Sequence, residues 1–279
     1  MNPAILITLA GISQGIASTI RKHSSTTEHR ATTIATTTML VNAALSIPLL
    51  FYQFRLPADP VTWILVACSV SLFALSSAFF FKSYQYTDLS VVTILHRSSI
   101  IYIAVIGIIF LHEKLSLVGV FGLLLLFAGS SSVLYEGKSF KFTKGAWYAI
   151  ISAILGAITA VLDKHILSDF SPYTYAFVNN LLVGCMFLWR KNTLPESIKF
   201  LRRYPKQIIS SSILGMFGFT VLLVLLTTSQ VSQTMAVYKT ISFFIPVILG
   251  ITLYKETGKL PNKIVGMLLA IVGMILLYK

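Results

Sequence analysis

Of the 279 residues, 56% are hydrophobic and only 11% are charged, with a mean hydropathy of +0.82. Soluble domains carry about 25% charged residues, so this composition excludes an ordinary soluble fold and requires a chain that spends most of its length in lipid. The formal charge of +13 would suit a nucleic-acid binder, but the Lys and Arg residues sit in short breaks between apolar runs, as cytoplasmic loops require, and no nucleic-acid partner is expected.

The first apolar run, about residues 3–20, has no basic segment before it and no small-residue cleavage motif after it, so a retained span is predicted, not a cleavable signal. After the polar "RKHSSTTEHR", a second span covers about 31–54 with Pro48 near its end, and after the turn "RLPADP" a third covers about 61–84. The fourth is the long run "LSVVTILHRSSIIYIAVIGIIFLHEK" over 89–114, and a fifth covers about 115–134. The polar "YEGKSFKFTKG" then separates a first half, 1–137, from a second, 138–279. Spans six and seven cover about 146–167 and 173–189, and "RKNTLPESIKFLRRYPK" is predicted to be a strongly basic loop. Span eight covers about 207–226, span nine is "VSQTMAVYKTISFFIPVILGITLYKE" over 231–256, and span ten covers about 264–278. The expected architecture is all-α, ten transmembrane helices in two five-helix halves. Cys68 and Cys185 each stand alone in an apolar run and are predicted to be core thiols.

The halves resemble each other. Spans four and nine lie 142 residues apart, as do "IRKH" at Ile20 and "LDKH" at Leu162, and "TDLS" at Thr87 and "SQVS" at Ser229. Gly122 and Gly129 fall 144 residues before Gly266 and Gly273, and with Ala128 and Ala270 they are expected to let spans five and ten pack closely. An odd number of spans per repeat makes the second repeat enter the membrane from the opposite side. Inverted repeats of this kind place a substrate site at the repeat interface near the midplane in many secondary transporters.

The stretch "FFFKSYQYTDLSVVTIL", the "LHEKLS" that ends span four with Glu113, and "GVFGLLLLFAGSSSVL" resemble the drug/metabolite transporter superfamily in its ten-helix EamA-like branch. The second half repeats the ending as "LYKETGKL" with Glu256, followed by "VGMLLAIVGMILL". The resemblance covers almost the whole chain. It implies two inverted five-helix bundles around a central cavity, a multi-pass protein of the bacterial plasma membrane, and substrates ranging from amino acids to sugars, nucleobases and organic phosphates. A Pro frequent in span four of this branch is replaced here by Ala104, whereas span nine keeps Pro246. Sixteen Lys and Arg residues lie in the breaks on one side and four on the other, so the positive-inside rule puts both termini outside; the resemblance implies termini inside.

Arg97 lies about eight residues, roughly 12 Å, into span four, and Lys239 is as deep in span nine from the opposite face. Both approach the middle of a hydrocarbon core about 30 Å thick. A cation there costs roughly 2.5–3.5 kcal/mol on insertion scales and faces a cavity or a partner, unless it snorkels or pairs with helix carbonyls. The nine Asp and Glu residues fall in loops or near span ends, so an anionic ligand is the expected counter-charge. His96 and Tyr238 flank the cations and are candidate ligand contacts. Gln14, Asn42, Asn179 and Asn180 lie inside spans one, two and seven and could line a substrate site or tie helices together. Glu113 and Glu256 match the family's acidic residue and are expected to be solvated at the interface.

The predicted function is a secondary transporter of a small polar organic metabolite, phosphate- or carboxylate-bearing, working by alternating access. The alternative is carriage of a neutral amino acid, sugar or amine with the cations structural. A membrane enzyme would need clustered carboxylates, His pairs or metal ligands; "RKH", "HEK" and "DKH" form no such constellation. No catalytic residue, metal or cofactor is expected. A non-transporting helper or receptor is the third reading. With no ATP-binding motif, and Gln14 where related small multidrug exporters use a carboxylate, exchange or facilitated diffusion remains, not proton-for-cation exchange.

Overall fold

The computed structural model describes residues 2–24, 31–83, 86, 89–134, 143–188, 192–252 and 260–277. Glu28, Asp88, Glu136 and Glu256, and most of the breaks expected after spans one, five and nine, lie outside the described residues. Within them the chain is helical, with no strand: α1 Pro3–Ser24, α2 Ala31–Leu50, α3 Pro60–Ser83, α4 Leu89–Arg97, α5 Ser99–Leu111, α6 Leu117–Leu134, α7 Lys144–Ile166, α8 Pro172–Leu188, α9 Thr193–Arg203, α10 Pro205–Thr228, α11 Val231–Thr252 and α12 Leu260–Leu277. Eight apolar segments among the described residues are long enough to cross a bilayer, and Leu117–Ser132 is a shorter apolar helix.

Local chemistry explains where the helices start. Pro3, Pro60, Pro172 and Pro205 open their helices, where a missing N–H costs nothing. Residues just ahead cap the orphan donors: Asn2 Oδ1 accepts from Ala4 N (3.0 Å), Asp59 Oδ1 from Val61 N (3.0 Å) and Ser171 Oγ from Tyr173 N (3.3 Å). α2 carries five Thr in its first eight residues, and Thr36, Thr37 and Thr38 return their hydroxyls to carbonyls one turn back at 2.7–2.8 Å. That internal bonding makes a polar sequence tolerable in lipid.

The helices assemble into two compact units, each drawing on both halves of the sequence: residues 1–74 with 162–228, and residues 75–161 with 229–279. In the first unit α1 packs on α10 and α2 on α8. A Cβ at Gly218 would stand 2.7 Å from Ala10 O, so only glycine permits that approach. Ser13 Oγ donates to Leu214 O (2.7 Å) at the same contact.

In the second unit α6 and α12 interlock through the expected small residues. A Cβ at Gly122 would meet Gly273 O at 2.7 Å, and one at Gly129 would meet Gly266 O at 2.5 Å. α12 buries Gly266, Ala270, Gly273 and Leu277 while exposing Ile264, Leu268, Ile271 and Ile275. Small residues inward and branched aliphatics outward is the distribution of a helix packed against protein on one side and lipid on the other.

Span four stands as one apolar span over Val92–Leu111, with a tightened turn at Ser98 dividing it into α4 and α5. Two expectations are corrected. The basic loop between spans seven and eight contains a helix, α9, because Thr193, Ser197 and Phe200 recur at helical spacing and bury together. Cys68 and Cys185 are exposed, not core, since each falls on the outward face of its helix.

Candidate functional site

The break in the fourth span falls between Arg97 and Ser99. Ser98 keeps right-handed helical angles (φ −57°, ψ −15°), but its N–H donates to Leu95 O (3.1 Å), three residues back, and its carbonyl is shared between Ile101 N (2.9 Å) and Tyr102 N (3.2 Å). The Ser98 hydroxyl also bonds Leu95 O at 2.5 Å. One turn is thus tightened to 3₁₀ spacing, and hydroxyl competition for the carbonyl ladder is a recognised cause.

Arg97 and Lys239 meet in the second unit. Arg97 Nη1 donates to the backbone oxygen of Lys239 (2.9 Å), and the guanidinium carbon stands 4.3 Å from the centre of the Phe243 ring. Lys239 Nζ donates to Ser99 Oγ (2.9 Å), so each cation reaches to the other's span. Each of these contacts is with a neutral group: a carbonyl, a ring face and a hydroxyl. An ammonium carries three donors; Ser99 takes one, and no second acceptor among the described residues engages it. These neutral acceptors fix the positions of both cationic groups side by side in the second unit.

His96 and Tyr238 are half-buried. The His96 ring packs on Phe80 with centroids 4.5 Å apart. Ser99 and Phe243 went unnoticed in the sequence. Ser99 is one of many hydroxyls in apolar runs, and only its position two residues after Arg97 hints at a role.

Glu113 departs from the solvated role expected of it. His112 adopts φ 52°, the chain reverses with Glu113 N donating to Gly107 O (3.2 Å), and the carboxylate turns onto the first turn of α11. There it accepts from the N–H groups of Val231 and Ser232, the latter at 3.1 Å, while Gln230 Nε2 bonds Lys114 O (3.2 Å). A carboxylate on orphan N–H groups at a helix start is favourable by about 0.3–2 kcal/mol. A Cβ at Gly107 would stand 2.8 Å from Glu113 Oε2, so glycine makes room for the returning side chain.

The other polar candidates lie in the first unit. Asn42 is buried; with its amide nitrogen toward α10 it donates to Ser212 O (3.3 Å), Ser212 Oγ (3.2 Å) and Thr38 O (3.2 Å), which outweighs the single 3.4 Å contact to Asn180 Oδ1 in the opposite orientation. Asn180 donates to Ala176 O (2.7 Å), and Asn179 beside it is half-buried. Gln14 lies against Gly215 and Gly218 of α10. The same unit holds a buried carboxylate that sequence reading assigned merely to a span end. Asp163 Oδ1 accepts from Ser69 Oγ (2.6 Å) and Tyr175 Oη (2.5 Å), joining α3, α7 and α8, and all three residues are buried.

The sequence matches the EamA-like transporter family over residues 1–135 and 143–279. An uncharacterised transporter of Bacillus subtilis (strain 168), YxxF, is 27% identical over 104 residues, 36% of this chain, and the match spans 33% of that relative's length. A protein of known crystal structure superposes with a TM-score of 0.76 over 98% of both chains at 12% identity, a likeness of fold alone.

Proposed function

The chain belongs to the EamA-like transporter family, and from that premise we propose that it carries a small polar organic metabolite bearing a phosphate or carboxylate group, by alternating access. As a family member it is a multi-pass membrane transporter of small molecules, not an enzyme. The proposal adds the substrate's charge, the anion-binding centre, and a build of ten spans in two inverted repeats in a bacterial plasma membrane.

One observation carries the substrate class: Arg97 and Lys239, from two different helices, are brought side by side, and the Lys239 ammonium, which has three donors, gives one to Ser99. A phosphate or carboxylate oxygen is the acceptor that satisfies such donors and neutralises the charge together. The tightened turn at Ser98 supports the same reading, because interrupted helices line binding sites in secondary transporters.

A second reading, carriage of a neutral solute or amine with the cations structural, draws on the same contacts, since Arg97 is already bonded to Lys239 O and stacked on Phe243. Purified protein separates the two. A thermal-shift screen of phosphorylated metabolites, carboxylates, amino acids and amines is expected to find an anion that raises the melting temperature, and counterflow in proteoliposomes then measures its transport. Arg97→Gln and Lys239→Gln should each abolish that stabilisation in monodisperse protein. Undiminished anion transport in both variants would sink the proposal, and a screen answered only by amines or neutral solutes would favour the second reading.

A further inference from the structure

Among the described residues of the first unit, α9 is a helix too short and too charged to span a bilayer, and its surface is divided in three. The buried face carries Thr193, Ser197 and Phe200, packed toward α2. Thr33 Oγ1 donates to Glu196 Oε2 (2.9 Å), so the helix's one acidic side chain is occupied on α2 and its rotation about its own axis is set. Next around the helix come Leu194 and Ile198, 48% and 43% exposed, with the half-buried Leu201 completing an i, i+4, i+7 stripe. Beyond them Lys199, Arg202 and Arg203 are exposed, and Lys206 follows on the first turn of α10.

The chain around α9 determines where it lies. Asn192 takes φ 69° to turn into it, and Tyr204 alone separates it from α10, which is long and apolar enough to cross the membrane. α9 therefore sits at the end of a span, at a membrane face. Exposed aliphatics beside a cluster of cations, on a short helix at that level, match the physics of an interfacial helix: the apolar stripe enters the acyl boundary and the cations meet headgroup phosphates.

We propose that α9 is a binding surface for anionic phospholipid, with Leu194, Ile198 and Leu201 inserted at the interface and Lys199, Arg202 and Arg203 engaging the headgroups. This goes beyond the transport reading and does not depend on it, because none of these residues belongs to the Arg97 and Lys239 centre. The occupant is the surrounding leaflet, chosen over a protein partner because the aliphatics and cations lie side by side on the membrane-level flank of a helix whose opposite face is already packed.

The test uses the full chain with Cys68→Ser, Cys185→Ser and Ile198→Cys, labelled with an environment-sensitive fluorophore and reconstituted in bilayers of phosphatidylcholine with phosphatidylglycerol. Quenching by lipid spin labels near the headgroup is expected to exceed quenching by labels at the chain end. Spin-labelled phosphatidylglycerol should quench about threefold better than its phosphatidylcholine counterpart at equal mole fraction. The added triple change K199Q, R202Q and R203Q should reduce that preference to near unity while leaving the depth unchanged. Strong quenching by aqueous iodide with none from lipid labels would overturn the proposal, as would equal quenching by the two headgroups before the cations are removed. Soluble inorganic phosphate at millimolar concentration should leave the preference intact; its loss under that treatment would assign the cations to free anions and refute a lipid site.

Discussion

The two units treat buried charge in opposite ways. In the first, the buried Asp163 carboxylate receives hydroxyl donors from Ser69 and Tyr175, and the Tyr175 ring packs on Phe170 with centroids 5.6 Å apart. In the second, Arg97 and Lys239 are half-buried and their bonds go to a carbonyl and a hydroxyl. The carboxylate's donors come from the protein on two neighbouring helices, so its energy is spent on packing α3, α7 and α8. The cations' hydrogen bonds to Lys239 O and Ser99 Oγ position them across two spans, and in the proposed reading part of their interaction energy goes to a ligand. A buried ionisable group in a membrane protein is thus not by itself a substrate site; what distinguishes the two centres is whether protein groups of complementary character already complete the shell.

That contrast can be broken experimentally, and the largest effect is expected from the sealed side. Asp163→Leu leaves two buried hydroxyls without their acceptor, each costing about 1–3 kcal/mol, so a stability loss of about 4 kcal/mol should appear as a large fall in melting temperature. Adding Tyr175→Phe should recover part of it. If Asp163→Leu instead leaves stability intact, the carboxylate is not the structural knot described. On the open side, Lys239→Gln is expected to weaken binding of the stabilising anion about 100-fold, equivalent to about 2.8 kcal/mol, while shifting the apo melting temperature little. An equal loss of fold stability in both variants would erase the distinction between the centres.

Smaller effects sharpen the picture of how the second unit holds its site. Gly129→Ala places a methyl 2.5 Å from Gly266 O, and separating α6 from α12 should cost about 1–3 kcal/mol, read as a lowered melting temperature. Glu113→Gln keeps the shape of the cap on α11 but removes its charge, for an expected loss of about 1 kcal/mol. Because α11 also carries Lys239, the anion-dependent stabilisation should persist in Glu113→Gln, and its disappearance would show that the cap positions the site as well as the helix.

Much of this could be read before any tertiary contact was known. The apolar runs predicted long helices because a chain in hydrocarbon must satisfy its own backbone, and Pro48 and Pro246 did not break the helices they occupy. Arg97 and Lys239 stand 142 residues apart at matching positions of their spans, and that separation hinted at a pairing that the fold makes. Gly122, Gly129, Gly266 and Gly273 announced a close helix contact by their size alone. α9 was hidden because its charges dominate the composition of that segment, while the spacing that buries Thr193, Ser197 and Phe200 is short and partly polar.

By itself, then, the sequence determined the solvent in which this protein folds, the helical elements and the presence of two cations inside apolar runs, since these depend on composition and on periodicity along the chain. Only the tertiary structure decided that Ser99 receives Lys239, that Glu113 caps α11 and that Asp163 is enclosed by Ser69 and Tyr175. Each of these depends on which hydroxyl or N–H another helix brings within about 3 Å, and in lipid an unpartnered polar group is too costly for that choice to be left open.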